Sequence, residues 1–358
     1  MTISDIYLTN YRNIKAKKFA FSPKTTVIIG VNASGKTNIM ESIFLLSSGK
    51  SFRVKVEEEM INHNVQLSRV KGKIGDTKLE VVLTRGELLI GDKSDGKLEK
   101  VARKRLLVNG IGKRLVDFAG NFSVVFFGPQ DLELVTESPT IRRRFLDIVL
   151  SQVDREYRRA LLSYDKGLRQ RNKLLFRIRE EGLSRSQLLF WDRLLIKNGD
   201  YISRKREEFI DFANSQKGLD NQTFKLEYDK SAISMTRLEQ YAPEEVAAAT
   251  TLVGPHRDDF CFKLKTKGKK RFRDLDKYGS RGEQRMGVLW LKLAELAFIK
   301  DRTNEKPTLL LDDIFSELDS EHRRIVMEVS KGQQTIITTA DPHFVKDIKS
   351  VEKIVLRA

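Results

Sequence analysis

Gly30-Val31-Asn32-Ala33-Ser34-Gly35-Lys36-Thr37 has the spacing G-x-x-x-x-G-K-[ST], and the rest of the chain is read outward from it. Glycines at these positions let the backbone turn with positive φ and bring several N–H groups close to a polyphosphate without Cβ interference. Lys36 is placed to reach the β- and γ-phosphates, and the Thr37 hydroxyl to hold Mg²⁺. The flanks agree. Thr25-Thr26-Val27-Ile28-Ile29 is a β-branched run that predicts a strand, and residues 37–46 predict a helix whose N-terminus faces the anion.

Composition sets the outer limits. At 358 residues the chain is long enough for one large domain or two. A formal net charge of +17 suggests a polyanionic partner. The single cysteine, Cys261, excludes an internal disulfide, and the four scattered histidines make no zinc spacing, so a reducing compartment is expected. No apolar stretch approaches a membrane span, and the N-terminus lacks the apolar core of a signal peptide. A soluble, cytoplasmic protein with no membrane partner is the expectation.

In chain order, residues 3–8 alternate like an edge strand, and Phe19-Ala20-Phe21 precedes a turn at Ser22-Pro23. Between them lies Asn10-Tyr11-Arg12-Asn13-Ile14. This is either a turn beside the base or ribose, with Arg12 and Asn13 as polar contacts, or a plain surface turn. A basic loop, Gly49-Lys50-Ser51-Phe52-Arg53, follows the first helix. From residue 70 to 118 short alternating runs are divided by turns such as Asn109-Gly110, which predicts an antiparallel β region. Val124 to Phe127 reads as a short buried strand ending at Gly128-Pro129-Gln130. Gln130 has two readings, a sensor of Mg²⁺ and the attacking water or a turn residue.

From residue 138 to about 217 apolar residues recur at helical spacing, broken near Glu181-Gly182-Leu183-Ser184, which fits two long helices folded back on each other. Arg142-Arg143-Arg144 places three cations ahead of a helix, where anions are favoured. They either meet phosphate or form ordinary ion pairs. Gly254-Pro255-His256-Arg257-Asp258 is dense in polar groups, and residues 263–273 form a Lys/Arg-rich hairpin carrying Phe272. For the hairpin, a solvated tip and a DNA-backbone contact are both open.

Two further elements narrow the class. Thr308 to Asp313 is an apolar strand ending in paired carboxylates, followed by Ile314-Phe315-Ser316-Glu317-Leu318-Asp319. Beside a phosphate loop, Asp312 is the expected Mg²⁺ ligand, and Asp313 the group that polarises the attacking water. The second element, Gly279-Ser280-Arg281-Gly282-Glu283-Gln284-Arg285, opens a helical run. It is another anion site at a helix N-terminus or a simple cap.

The order of phosphate loop, glutamine loop, long helical insertion, Ser-x-Gly signature, Asp-Asp strand and Ser-Glu-Leu-Asp loop resembles the ABC-type ATPase heads of SMC and recombination proteins. Within that family it is most similar to the recombination and gap-repair branch. The residues that carry the likeness are residues 10–13, 30–38, 49–53, 143–147, 254–258 and 311–319, spread over nearly the whole chain. The resemblance implies an α/β, ABC/SMC-type P-loop ATPase head, with a mixed core sheet plus an antiparallel β region and an inserted helical arm. The ATPase domain would be split over 1–134 and 251–358, the arm spanning 135–250. It implies ATP and Mg²⁺ as ligands, contacted by Gly30, Asn32, Ala33, Ser34, Gly35, Lys36, Thr37 and Asn38. Lys36, Gln130 and Asp313 would act in hydrolysis, with Thr37 and Asp312 on the metal.

In such heads Ser280 and Gly282 of one copy meet the γ-phosphate held by the other, so ATP drives a homodimer, and Asp319 lies in the loop linking the two sites. The implied role is ATP-dependent binding of gapped or single-strand/double-strand junction DNA, with mediator proteins and a recombinase as further partners. Several positions depart from the family pattern. Ala33 stands where glycine is usual, which is tolerable if φ there stays negative. Glu283 replaces the usual glutamine, Gln130 stands where many relatives carry an acid, and Asp313 is shorter than the usual glutamate, which predicts slow turnover. The switch histidine is not obvious, His343 being the nearest candidate. Two other functions remain in play: an ABC-type transporter ATPase, and a nucleotide-gated DNA scaffold that barely hydrolyses ATP.

Overall fold

Strand pairing among the described residues gives four sheets, of which the two largest are a buried parallel one and a half-exposed antiparallel one. The structure is a computed structural model and describes residues 1–54, 56–90, 97–316, 318–341, 343 and 351–356; Glu317 of the Ser-Glu-Leu-Asp loop lies outside the described residues. The chain opens with β1 (Ile3–Tyr11), β2 (Ile14–Ala20) and β3 (Thr25–Gly30), followed by helix α1 (Lys36–Ser48). Next come β4 (Leu67–Ile74), β5 (Thr77–Thr84), the hairpin β6 (Glu87–Ile90) and β7 (Lys97–Lys100), β8 (Lys104–Val108), β9 (Ile111–Lys113) and β10 (Val124–Phe127).

The long helices α2 (Pro139–Val153), α3 (Arg155–Glu181) and α4 (Leu189–Asn214) follow, then β11 (Gln222–Asp229), α5 (Ala242–Ala248), β12 (Asp259–Thr266) and β13 (Arg273–Asp274). The chain ends with α6 (Arg281–Thr303), β14 (Thr308–Asp312), α7 (Ser320–Ser330), β15 (Thr335–Thr339) and β16 (Val351–Leu356).

The core sheet has the order β10-β14-β15-β3-β16. Every described pairing in it is parallel, so the sheet expected to be mixed keeps its antiparallel pairs elsewhere. All residues of β10, β14 and β15 are buried, as a sheet covered on both faces requires, which explains their continuous apolar runs. Parallel strands end on the same edge. That edge therefore gathers Gly30, Gly128, Asp312 and Thr339, each at or just beyond a strand's C-terminus.

The antiparallel sheet has the order β2-β1-β4-β5-β8-β9. Asn109 and Gly110, both at positive φ, close the β8-β9 hairpin, as Asn-Gly turns do. Residues 3–8 are not an edge strand. β1 pairs with β2 on one side and β4 on the other, and β2 forms the edge, its exposed Lys15, Lys17 and Lys18 discouraging further pairing.

Contacts divide the chain into one unit of Met1–Asp131 with Ile299–Ala358 and a second of Leu132–Phe298. The second unit thus runs past residue 250 and takes in β12, β13 and most of α6. Its cohesion explains this: β12 pairs along its whole length with β11, and Arg142 on α2 forks onto Asp259 at 2.6 and 2.8 Å. The two long helices fold back at Gly182, which caps α3 at φ 65°. Where they cross, a Cβ on Gly167 would stand 2.6 Å from Leu194 Cδ2, so glycine permits the close approach. No described helix is long and apolar enough to cross a membrane.

Candidate nucleotide site

The first unit holds the phosphate loop between β3 and α1. Gly35 caps α1 at φ 97° with no side-chain hydrogen bond, which leaves the helix N–H groups facing outward. Gly30 is required by space, since a Cβ there would lie 2.4 Å from Ser34 Oγ. Ala33 does not meet that condition: its φ is +65°. The loop keeps the left-handed turn that glycine would give it, and the alanine is strained by about 1 to 2 kcal/mol. Asn32 and Ala33 are exposed, Thr37 and Asn38 half-buried.

Lys36 is almost wholly buried. Its ammonium donates to the carbonyls of Gly30 at 2.7 Å and Val31 at 3.2 Å. Ser34 Oγ is buried without a hydrogen-bond partner. A loop with a buried cation, an unpartnered hydroxyl and a helix N-terminus fits a polyphosphate, whose oxygens accept stronger hydrogen bonds than carbonyls do.

The neighbouring strands bring the carboxylates. Asp312 stands opposite Thr338 of β15, whose Oγ1 donates to it at 2.5 Å, and the Thr37 side chain also hydrogen-bonds it. Burial pushes its carboxyl above the ordinary value, against the pull of those two hydrogen bonds. A buried, destabilised carboxylate touching the Thr37 hydroxyl is a fitting pair for Mg²⁺. Asp313 follows at φ 52°. Its N–H donates to the carbonyl and hydroxyl of Thr338 at 3.2 and 3.1 Å, and its Oδ1 accepts the Ala340 N–H at 3.3 Å. Gln130 lies in the short turn Pro129–Leu132 just past β10, the strand next to β14, and is half-buried. These residues share one sheet edge, as the motif order predicts.

Arg12 is not free to meet a base. Its Nε and Nη2 fork onto the Glu41 carboxylate at 2.9 and 2.8 Å, and its Nη1 donates to the Glu59 carbonyl at 2.9 Å. Burial works against its charge, but Glu41 more than offsets this and holds the guanidinium above its ordinary range. Asn13 is exposed and accepts from Asn38 Nδ2 at 2.8 Å, beside Gly35. The sequence reading gives Glu41 no role and names Ser51 only within the basic loop at 49–53. The available signal was a glutamate within the apolar run Ile39-Met40-Glu41-Ser42-Ile43, one turn after Thr37.

Ser280 and Gly282 belong to the second unit and are exposed. Ser280 caps α6 reciprocally with Glu283: the Ser280 N–H donates to Oε2 at 2.8 Å and the Glu283 N–H to Ser280 Oγ at 3.3 Å. Apart from Ser280 Oγ at 4.0 Å, a Cβ on Gly282 would meet nothing, so packing within the chain does not demand glycine there. Asp319 caps α7, accepting from the N–H groups of Glu321 and His322, both at 3.0 Å. His343 is exposed, its N–H donating to Asp341.

Arg142 and Arg143 are engaged inside the second unit, with Asp259 and the Asp258 carbonyl. His256 is a core residue. Its Nε2 faces the Thr251 carbonyl at 2.9 Å and so donates, leaving Nδ1 to accept from Tyr164 at 2.8 Å, and burial lowers its pKa to about 4. Asp258, fully buried, accepts from Arg206, Tyr228 and the Ser231 N–H. At the hairpin tip Lys267, Lys269, Lys270 and Arg271 are exposed.

The sequence matches the family described as RecF/RecN/SMC N terminal domain over residues 2–358. Among similar curated proteins is the DNA replication and repair protein RecF of Herpetosiphon aurantiacus, 35% identical, with 97% of each chain covered. The same-named protein of Lachnoclostridium phytofermentans is 34% identical over 94% of this chain and 92% of its own. A solved structure of the recombination mediator protein RecF in the RecFOR pathway, as RecF-ATP, is 31% identical and covers 98% of this chain and 95% of its own at a TM-score of 0.83. An SMC head bound to the C-winged helix domain of ScpA shares the fold, at a TM-score of 0.52, 16% identity and coverage of 99% and 94%.

Proposed function

The chain belongs to the RecF/RecN/SMC family, and from that premise we propose that it is an ATP-dependent DNA-binding protein of recombinational repair that dimerises on ATP. The observation that carries this reading is the meeting of Thr37 and Asp312 at the sheet edge beside the buried Lys36. Lys36 and the N-terminus of α1 bind and orient the phosphates. Thr37 and Asp312 hold Mg²⁺, which offsets charge on the transferred phosphoryl group. Asp313 orients the attacking water, assisted by Gln130.

Ser280 and Gly282 are presented by a second copy, so that two subunits close over two nucleotides. The exposed, unencumbered Gly282 supports this, because a glycine that nothing in its own chain requires suits close approach by a ligand. Closure retains gapped or junction DNA, and slow hydrolysis releases it. Mediator proteins and a recombinase are the partners in this scheme. Light scattering with and without ATP tests it, the expected result being dimers with ATP and monomers when Ser280→Arg blocks the composite site. Monomers of the wild type with saturating ATP, or dimers of the variant, would refute the composite site.

A second reading, a nucleotide-gated scaffold with negligible hydrolysis, draws support from Asp313. Its carboxylate already accepts from Ala340 and is one methylene shorter than a glutamate.

A further inference from the structure

Glu41 carries a carboxylate that none of these steps uses. It lies on α1 one turn after Thr37 and is fully buried, and two separate loops converge on it. From one side come the two nitrogens of Arg12, on the turn between β1 and β2. From the other, the Ser51 hydroxyl donates to Oε1 at 2.5 Å, and Ser51 Oγ in turn accepts the N–H groups of Arg53 at 2.9 Å and Val54 at 3.1 Å.

Both loops end beside the phosphate loop. Arg12 is held at φ 52°, a left-handed conformation that an unrestrained arginine avoids; the bidentate pair fixes its side chain, while its N–H donates to the Met60 carbonyl at 2.9 Å and its carbonyl accepts from Asn62 Nδ2 at 2.8 Å. The next residue, Asn13, thereby reaches Asn38 at 2.8 Å, with its Oδ1 3.1 Å from where a Cβ on Gly35 would stand. Arg53, whose backbone Ser51 fixes, donates to the other side of Asn38 at 3.1 Å. The result is a row of Asn13, Asn38 and Arg53 at the mouth of α1, with both ends anchored in one carboxylate.

We propose that Glu41 is a positioning residue for the nucleoside end of the ligand. It touches no phosphate, but sets where Asn13 and Arg53 stand relative to Lys36. A carboxylate satisfies this geometry because it can accept a guanidinium fork and a hydroxyl at once, whereas a glutamine offers a single acceptor oxygen. The inference rests on the nucleotide reading of the phosphate loop and extends it from the phosphates to the base and ribose.

The test compares two probes, ATP and inorganic tripolyphosphate, each with Mg²⁺, by calorimetry. Glu41→Gln is expected to weaken ATP binding by about tenfold or more, the range seen when a group that orients a ligating residue is removed, while tripolyphosphate binds as to the wild type. Asn13→Ala should reproduce most of the loss, and the double variant should be no worse than Glu41→Gln alone. Should Glu41→Gln fail to fold, Arg12→Lys, which keeps the charge and removes the fork, and Ser51→Ala carry the same comparison. Equal losses for both probes would reduce Glu41 to a support of the helix, and unchanged ATP affinity would also overturn the proposal. Failure of the wild type to bind either probe would instead remove the nucleotide reading, and this inference with it.

Discussion

Thr338 Oγ1 donates a 2.5 Å hydrogen bond to Asp312 Oδ1 across the paired strands β15 and β14, so the buried carboxylate is held in place by a neighbour from the next strand. Burial raises the Asp312 carboxyl, and Thr338 and Thr37 only partly counter it. For a carboxyl raised on folding, the stabilising contribution is present at acidic pH and is lost as pH rises through the raised value. Above that value, and without a cation, the charge on Asp312 therefore destabilises the fold. Asp312→Asn is expected to raise the melting temperature of the nucleotide-free protein by a few degrees and to flatten its fall as pH rises out of the acid range. The same change should abolish Mg²⁺-dependent ATP hydrolysis. A melting temperature that drops at pH 7 would contradict the account.

Ala33 gives a second prediction. At φ 65° it is strained by about 1 to 2 kcal/mol, and glycine would remove that strain while adding about 0.4 to 1 kcal/mol of unfolded-state entropy cost. Ala33→Gly should therefore stabilise the protein by up to about 1.5 kcal/mol in urea titrations. ATP affinity should hold or improve. Destabilisation would mean that the alanine methyl makes a compensating contact.

Much of this was legible in the sequence, and the pattern of failures is physical. Gly30 to Thr37, the strand before it and the Asp312-Asp313 pair are local signals, with residue type and spacing fixed by the ligand chemistry. Gly182 as the hinge of the helical arm is equally local. What the sequence hid depends on long-range pairing. The sequence leaves Arg12 as either a polar contact to the ligand or part of a plain surface turn, because its partner Glu41 is twenty-nine residues away. At Arg142 the choice between a phosphate contact and an ion pair stays open in the sequence because Asp259 is more than a hundred residues away. β1 alternates as an edge strand would, yet the pairing with β4 that makes it internal spans some sixty residues. The extent of the second unit was hidden for the same reason, since β12 pairs along its whole length with β11, which lies on the other side of residue 250.

Asp313 supplies a third prediction, which separates slow enzyme from scaffold. Its backbone is fixed at φ 52° by both oxygens of Thr338, so the side chain is aimed by the strand end rather than free to search. Asp313→Ala should reduce phosphate release about tenfold or more and leave ATP affinity within about twofold, the signature of a group acting in the transition state only. Wild-type release at a rate the variant matches would favour the scaffold.

The arm offers a prediction independent of nucleotide. Arg171, 1% exposed on α3, reaches two helices and a loop: Asp192 Oδ1 on α4 at 2.6 Å, Glu245 Oε2 on α5 at 2.7 Å and Thr251 Oγ1 at 2.9 Å. Asp192 and Glu245 are themselves buried, so one guanidinium is the shared counter-charge of two carboxylates that have little access to water. Removing one partner of such a cluster costs about 3 to 5 kcal/mol, because the remaining charges are stranded. Arg171→Ala should accordingly destabilise the second unit by that amount in urea. Asp192→Asn and Glu245→Gln, added together to the variant, should restore much of the loss, since uncharged amides in the same space remove the stranded charge. If the triple variant is no more stable than Arg171→Ala, the loss comes from the cavity left by the arginine side chain and not from its charge.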